Sequence, residues 1–81
     1  MTEAEIETIL ADVVHRVAPE IDLTHVAPDD DLRQALDLDS FDFLNVLIGL
    51  QERLGLEIPE RDYGKVRSLR SLVTYCKAAQ R

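Results

Sequence analysis

The sequence predicts an all-α fold: a small bundle of three main helices plus one short helix, with a long loop between helices one and two. Three observations carry that expectation. Apolar residues recur at helical spacing in three separate stretches, 3–17, 40–54 and 69–76. Each stretch is bounded by residues that start or stop helices, among them Thr2, Pro19, Gly55 and Ser68. No stretch shows the alternation of a half-buried strand, and there is no internal repeat or low-complexity segment.

Thr2 followed by Glu5 has the capping-box spacing. Ile6, Ile9, Leu10, Val13, Val14 and Val17 then line one face of a helix from Glu3 to Val17. Glu3, Glu5 and Glu7 sit where the helix dipole favours negative charge, and Ala18-Pro19 ends the helix. Residues 18–39 form a long connection in which Ile21, Leu23 and Val26 are expected to pin the chain to the core. Asp29 or Asp30 is a candidate cap for a short helical turn reaching Leu36. Antiparallel neighbours need only short loops, so the length of this one suggests a crossover, with helix two running parallel to helix one.

The central helix runs from Ser40 to Leu54. With Ser40 at zero and 100° per residue, Phe43, Val46, Leu47, Leu50 and Leu54 fall in an arc from about 240° to about 340°. That arc is the expected core face. Phe41, Leu44 and Ile48 make a second apolar stripe at about 40° to 100°. Such a stripe either is buried in a central helix or is a partner surface beside Ser40. Periodicity alone does not choose between the two. Gly55 suits the end of this helix, and Leu56-Glu57-Ile58-Pro59 cannot continue it. A short helical piece over 60–63 is expected to break at Gly64. Ser68 then caps a last helix with Leu69, Leu72, Val73 and Cys76 on one face and a basic tail over 77–81.

The 81 residues suit one domain, 1–81, with a small core. One cysteine, Cys76, allows no intramolecular disulfide and fits a reducing cytoplasm. No apolar run approaches the roughly 20 residues of a membrane span, and the N-terminus is acidic where a signal peptide would be basic. The net charge of −7 argues against nucleic acid and favours basic partners. That charge is uneven: residues 1–42 hold twelve acids against two bases, Arg16 and Arg33, whereas residues 43–81 hold four acids against seven bases. The acidic half ends at Ser40-Phe41-Asp42, so a protein approaching Ser40 is expected to be electropositive.

The residues support little chemistry of their own. Ser40 is not in a Gly-x-Ser-x-Gly elbow, and nothing places His15 or His25 beside it. Cys76 on the apolar face of the last helix reads as a small buried residue rather than a nucleophile. Asp37 and Asp39 match the first and third places of a calcium loop, but Phe41 stands at the fifth and Asp42 where glycine is needed. No metal site and no catalytic residue is therefore expected, although divalent cations near Asp29, Asp30 and Asp31 are conceivable. What remains is Ser40. It is either an ordinary N-cap or a hydroxyl offered for modification, where a helix N-terminus would favour an attached phosphate.

Asp39-Ser40-Phe41, preceded by Leu36-Asp37-Leu38 and followed by Glu57-Ile58-Pro59 and the helix from Ser68 to Tyr75, resembles the acyl carrier protein family. The resemblance implies that Ser40 carries 4′-phosphopantetheine, delivered from coenzyme A by a Mg²⁺-dependent phosphopantetheinyl transferase. The arm's thiol would hold an acyl group for a fatty-acid, polyketide or other specialised pathway, with no catalysis by the carrier itself. It further implies docking of acyl-loading and acyl-processing enzymes, with basic surfaces, on Asp39, Phe41, Asp42, Leu44, Asn45, Ile48 and Glu52, and a monomeric cytoplasmic protein. Asp37 departs from the family's usual glycine, Phe41 from its leucine, and Asn45, Gln51 and Arg53 from its acids. These departures point to a specialised free-standing carrier. An aminoacyl or D-alanyl carrier and an unmodified protein-binding module of the same fold stand as alternatives.

Overall fold

A computed structural model describes residues 1–80. Three long helices pack together: α1 (Glu3–Val17), α3 (Ser40–Leu54) and α4 (Leu69–Ala79). A four-residue helix, α2 (Leu32–Ala35), and two 3-10 segments, Leu23–His25 and Glu60–Lys65, lie in the connections. The local start signals act as expected. Thr2 and Glu5 form a reciprocal capping box, with Glu5 N donating to Thr2 Oγ1 at 3.2 Å and Thr2 N to Glu5 Oε1 at 3.0 Å. Ser68 and Ser71 do the same for α4. Gly55 ends α3 at φ 66, a left-handed conformation that costs glycine nothing. The basic end of α4 is represented by Lys77; Arg81 lies outside the described residues.

The core is built from one face of each long helix. Ile6, Leu10, Val13 and Val14 of α1 meet Val46, Leu47, Leu50 and Leu54 of α3 and Leu69, Leu72, Val73 and Cys76 of α4. Cys76 is fully buried, and desolvation pushes its thiol pKa up to about 11, so it is an inert packing residue. Ile21, Leu23 and Val26 pack against this core from the long connection. Phe43 alone of the expected core arc is only partly buried.

Three expectations about the connections need correction. The cap of α2 is Asp31, whose Oδ1 accepts from Gln34 N at 3.2 Å; Asp30 instead closes the preceding turn by accepting from Ala27 N. The 60–65 segment runs through Gly64 without breaking there. The third concerns direction: α3 is antiparallel to α1. Gln80, just past α4, reaches both Met1 at the start of α1 and the Leu54 carbonyl at the end of α3. The end of α1 therefore lies at the same end of the bundle as the start of α3, and residues 18–39 do not cross over. Their length is used to dock on α4. Leu32 N donates to Arg67 O at 2.7 Å and Arg70 N to Pro28 O at 2.8 Å, flanked by ion pairs Arg67–Asp31 and Arg70–Asp29. Leu32, Leu36 and Leu38 are buried in the process. The crossover is the second connection, 55–68, fastened by Gln51 Oε1 accepting from Ile58 N and by Tyr75 Oη donating to Asp62 Oδ2 at 2.6 Å.

Where α1 and α3 cross, Gly49 admits the Val13 side chain. A Cβ at residue 49 would lie 2.9 Å from Val13 Cγ1. Beside this contact Arg53 pairs with Asp12, which is held ionised below its usual range chiefly by that guanidinium. The charge of Arg53 is therefore committed to holding α1 and α3 together.

Candidate functional site

The start of α3 is set by Asp39 rather than Ser40. Asp39 has the extended backbone of an N-cap, and its Oδ1 accepts from Asp42 N at 2.8 Å. Ser40 is thus the first residue of the helix and not its cap. It is exposed, and among the described residues no hydrogen bond engages its hydroxyl. The N-cap reading of Ser40 is removed by this one-residue offset. The offset also takes up the Asp42 N–H, leaving the amides of Ser40 and Phe41 as the unpaired donors of the first turn.

The approach to Ser40 is a tight turn. Asp37 sits at φ 52 and is the one non-glycine residue with positive φ among those described. Its amide donates to Gln34 O and the Leu38 amide to Arg33 O, which folds the chain back from α2. Glycine takes this left-handed conformation without strain, and aspartate is among the few other residues that tolerate it.

Ser40 opens onto a cleft of about 670 Å³. Its apolar lining is Leu38, Phe43, Leu44 and Leu47; Tyr63 and Gly64 of the 60–65 segment form a second wall from a separate element, and Arg33, Gln34, Asp37, Asp31 and Arg67 complete the lining. Phe43 is half-buried because it faces this cleft. The wall at Tyr63 is held by its neighbour Asp62, whose carboxyl is kept below its ordinary range by the Tyr75 hydroxyl and then by Lys65. The same hydrogen bond raises the Tyr75 hydroxyl above its usual range. Asp31 is also lowered, first by the Gln34 amide and then by Arg67.

The second apolar stripe of α3 is at the surface. Phe41 is 71% exposed, Leu44 37% and Ile48 43%. Among the described residues four large apolar side chains are exposed, and three of them lie on this stripe. Asp39 and Glu52 are exposed, and Asp42 and Asn45 half-buried. The structure thus gathers Asp39, Phe41, Asp42 and Leu44 within one turn of Ser40, with Asn45, Ile48 and Glu52 further along α3. Neither histidine joins them. His25 sits 3.4 Å from Asp22 in the first connection, His15 is in the last turn of α1, and neither lines the cleft. A hydrolase built on Ser40 and one of these bases has no support. The residues that periodicity missed are the far wall, Tyr63 and Gly64, and the rim arginines Arg33 and Arg67. The one available signal was Arg33 as a rare base in the acidic half of the chain.

No helix among the described residues is long and apolar enough to cross a membrane. The family model for the phosphopantetheine attachment site matches residues 4–76. An acyl carrier protein of Lactobacillus johnsonii is 34% identical over 80 residues, covering 99% of both chains. A meromycolate extension acyl carrier protein of Mycobacterium leprae is 25% identical over 75 residues, 93% of this chain and 64% of that one. A solution structure described as that of an acyl carrier protein from Anaplasma phagocytophilum superposes with a TM-score of 0.80 at 23% identity, over 96% of this chain and 91% of the other, which establishes the shared fold. With a full-length relative at this identity and an attachment-site match over nearly the whole chain, the protein belongs to the acyl carrier protein family, whose cofactor is covalent 4′-phosphopantetheine.

Proposed function

We propose that Ser40 is the attachment residue and that the chain is a non-catalytic carrier, a single cytoplasmic domain acting as a monomer. The carrying observation is the free, exposed Ser40 hydroxyl at the first position of α3, with Asp39 doing the capping beside it. In the loading reaction the Ser40 oxygen would form a new O–P bond to coenzyme A as the phosphoanhydride bond breaks. Adenosine 3′,5′-bisphosphate leaves, and the hydroxyl proton goes to a base of the transferase. Nothing in the Ser40 cleft needs to supply that base, which suits a substrate of another enzyme.

The docking surface is Phe41, Leu44 and Ile48 with Asp39, Asp42, Asn45 and Glu52. It combines an uncovered apolar stripe with acids, so it fits a transferase and acyl-processing enzymes that present apolar pockets within basic surroundings. Arg53, engaged by Asp12, and the neutral Asn45 and Gln51 leave α3 less negative than a helix lined with acids. This supports service to one specialised pathway rather than general fatty acid synthesis. Rates of acyl loading by housekeeping fatty-acid enzymes, compared with the host's own housekeeping carrier, test the point, and equal rates would sink it.

The primary experiment is intact mass after incubation with coenzyme A, Mg²⁺ and a broad-specificity phosphopantetheinyl transferase. One phosphopantetheine is expected on the wild type and none on Ser40→Ala. Absence of loading with several transferases would favour an unmodified binding module.

A further inference from the structure

Arg33 is the one base of residues 1–42 without an acidic partner. The other, Arg16, lies 3.4 Å from Asp12, and among the described residues Arg33 makes no ion pair. It lies on α2 and lines the same cleft as Ser40. Arg67, the other rim arginine, is engaged, with Nε and Nη2 at 3.3 and 3.2 Å from Asp31 Oδ2. Around Ser40 the remaining charges are acids: Asp37, Asp39 and Asp42 within three positions.

A phosphodiester on Ser40 adds a permanent negative charge to that acidic cluster. The neighbouring acids disfavour it, and the unpaired guanidinium in the same cleft attracts it. A guanidinium presents a donor fork that matches two phosphate oxygens. An exposed pair of this kind is weak between separate molecules. Here the phosphate is tethered in the same cleft, so its effective concentration is high without any further contact. The rest of the arm is a chain of amides and a hydroxyl interleaved with apolar carbons. The cleft offers the matching mixture: Leu38, Phe43, Leu44 and Leu47 on one side, and Gln34 and Tyr63 with polar groups on the other.

We propose that Arg33 is the counter-ion of the phosphodiester on Ser40 and draws the pantetheine arm into the cleft, toward Tyr63 and Gly64, and away from Phe41 and Ile48. This rests on Ser40 being the attachment residue. Arg33 is a positioning residue for the arm, which leaves Phe41 and Ile48, neither of which lines the cleft, clear for a partner while the arm is docked.

The test compares apo and holo protein by amide and phosphorus NMR, after intact mass has shown one arm per chain. On loading, the resonances of Arg33, Tyr63, Gly64 and Arg67 should move together with those adjoining Ser40. Arg33→Gln should lose the shifts at Tyr63 and Gly64 and narrow the phosphorus line, high salt should do the same to the wild type, and Arg33→Lys should retain part of both. Shifts confined to residues 38–43, or far-wall shifts that survive Arg33→Gln, overturn the proposal. Failure to gain mass overturns the attachment reading itself and is seen before any spectrum is recorded.

Discussion

The two apolar faces of α3 have the same kind of residue and opposite fates. Leu47 and Leu50 are completely buried in the core shared with α1 and α4, whereas Phe41, a turn or two away, is 71% exposed. Hydrophobicity cannot distinguish them, because both stripes satisfy helical periodicity. What differs is the neighbour: one face packs on α1 within the shared core, and the other meets solvent beside Ser40. A small domain that leaves Phe41, Leu44 and Ile48 partly or largely uncovered forgoes part of the roughly 1.5–3 kcal/mol that full burial of each would contribute, most of it at Phe41. One face therefore makes the fold, and the other is available to a partner.

The sharpest way to break this comparison is a pair of truncations. Leu50→Ala should lower unfolding free energy by about 2–5 kcal/mol, and Leu44→Ala by less than about 1 kcal/mol, measured by urea denaturation. Equal losses would show that the exposed stripe supports the fold. The third side of α3 is probed at the α1 crossing. Gly49→Ala should destabilise by about 1–3 kcal/mol through overpacking on Val13, partly offset by the better helix propensity of alanine. The same change in a Val13→Ala background should cost less, since the clashing methyl is then gone. At the helix start, Asp39→Ala should cost about 0.5–2 kcal/mol by removing the cap, while Ser40→Ala should stay within about 0.5 kcal/mol. The reverse order would return the capping role to Ser40.

Acid should erode the attachments around the cleft before it reaches the core. Asp31 and Asp62 have folded pKa values below their unfolded ones, near 3.9, so their contribution is complete above that value. It is lost as pH falls through the unfolded value toward the lower folded ones. Thermal midpoints should therefore drop below about pH 4, and Asp62→Asn should make the drop shallower. The smallest effect on stability belongs to Phe41→Ala, within about 0.5 kcal/mol, although it should weaken docking of the transferase in a binding titration.

Local signals were the legible part of the sequence. Thr2 with Glu5, Ser68 and Gly55 each act on residues within one turn, so residue type is enough to read them. The three helices followed from periodicity for the same reason. The route of residues 18–39 did not, because it is fixed by backbone pairs, Leu32 to Arg67 and Arg70 to Pro28, that bear no mark of residue type. Asp29, Asp30 and Asp31 are chemically equivalent caps, and only the placement of Asp31 against Arg67 selects among them. The antiparallel course of α3 was hidden by the length of that connection. At the candidate site the serine and the stripe were readable, while the opposite wall of the cleft, Tyr63 and Gly64, depends on how the 60–65 segment returns and could not be read from spacing.

The offset between Asp39 and Ser40 bears on how a cell would manage this protein. Because the helix is secured by one residue and the proposed attachment point is the next, an unloaded chain keeps the cap that starts α3. Folding quality control, which senses exposed core and frayed helices, would find nothing wrong with it. If Ser40 is the attachment residue, loading would then add the arm to a helix that is already capped, so folding and charging would be separate events.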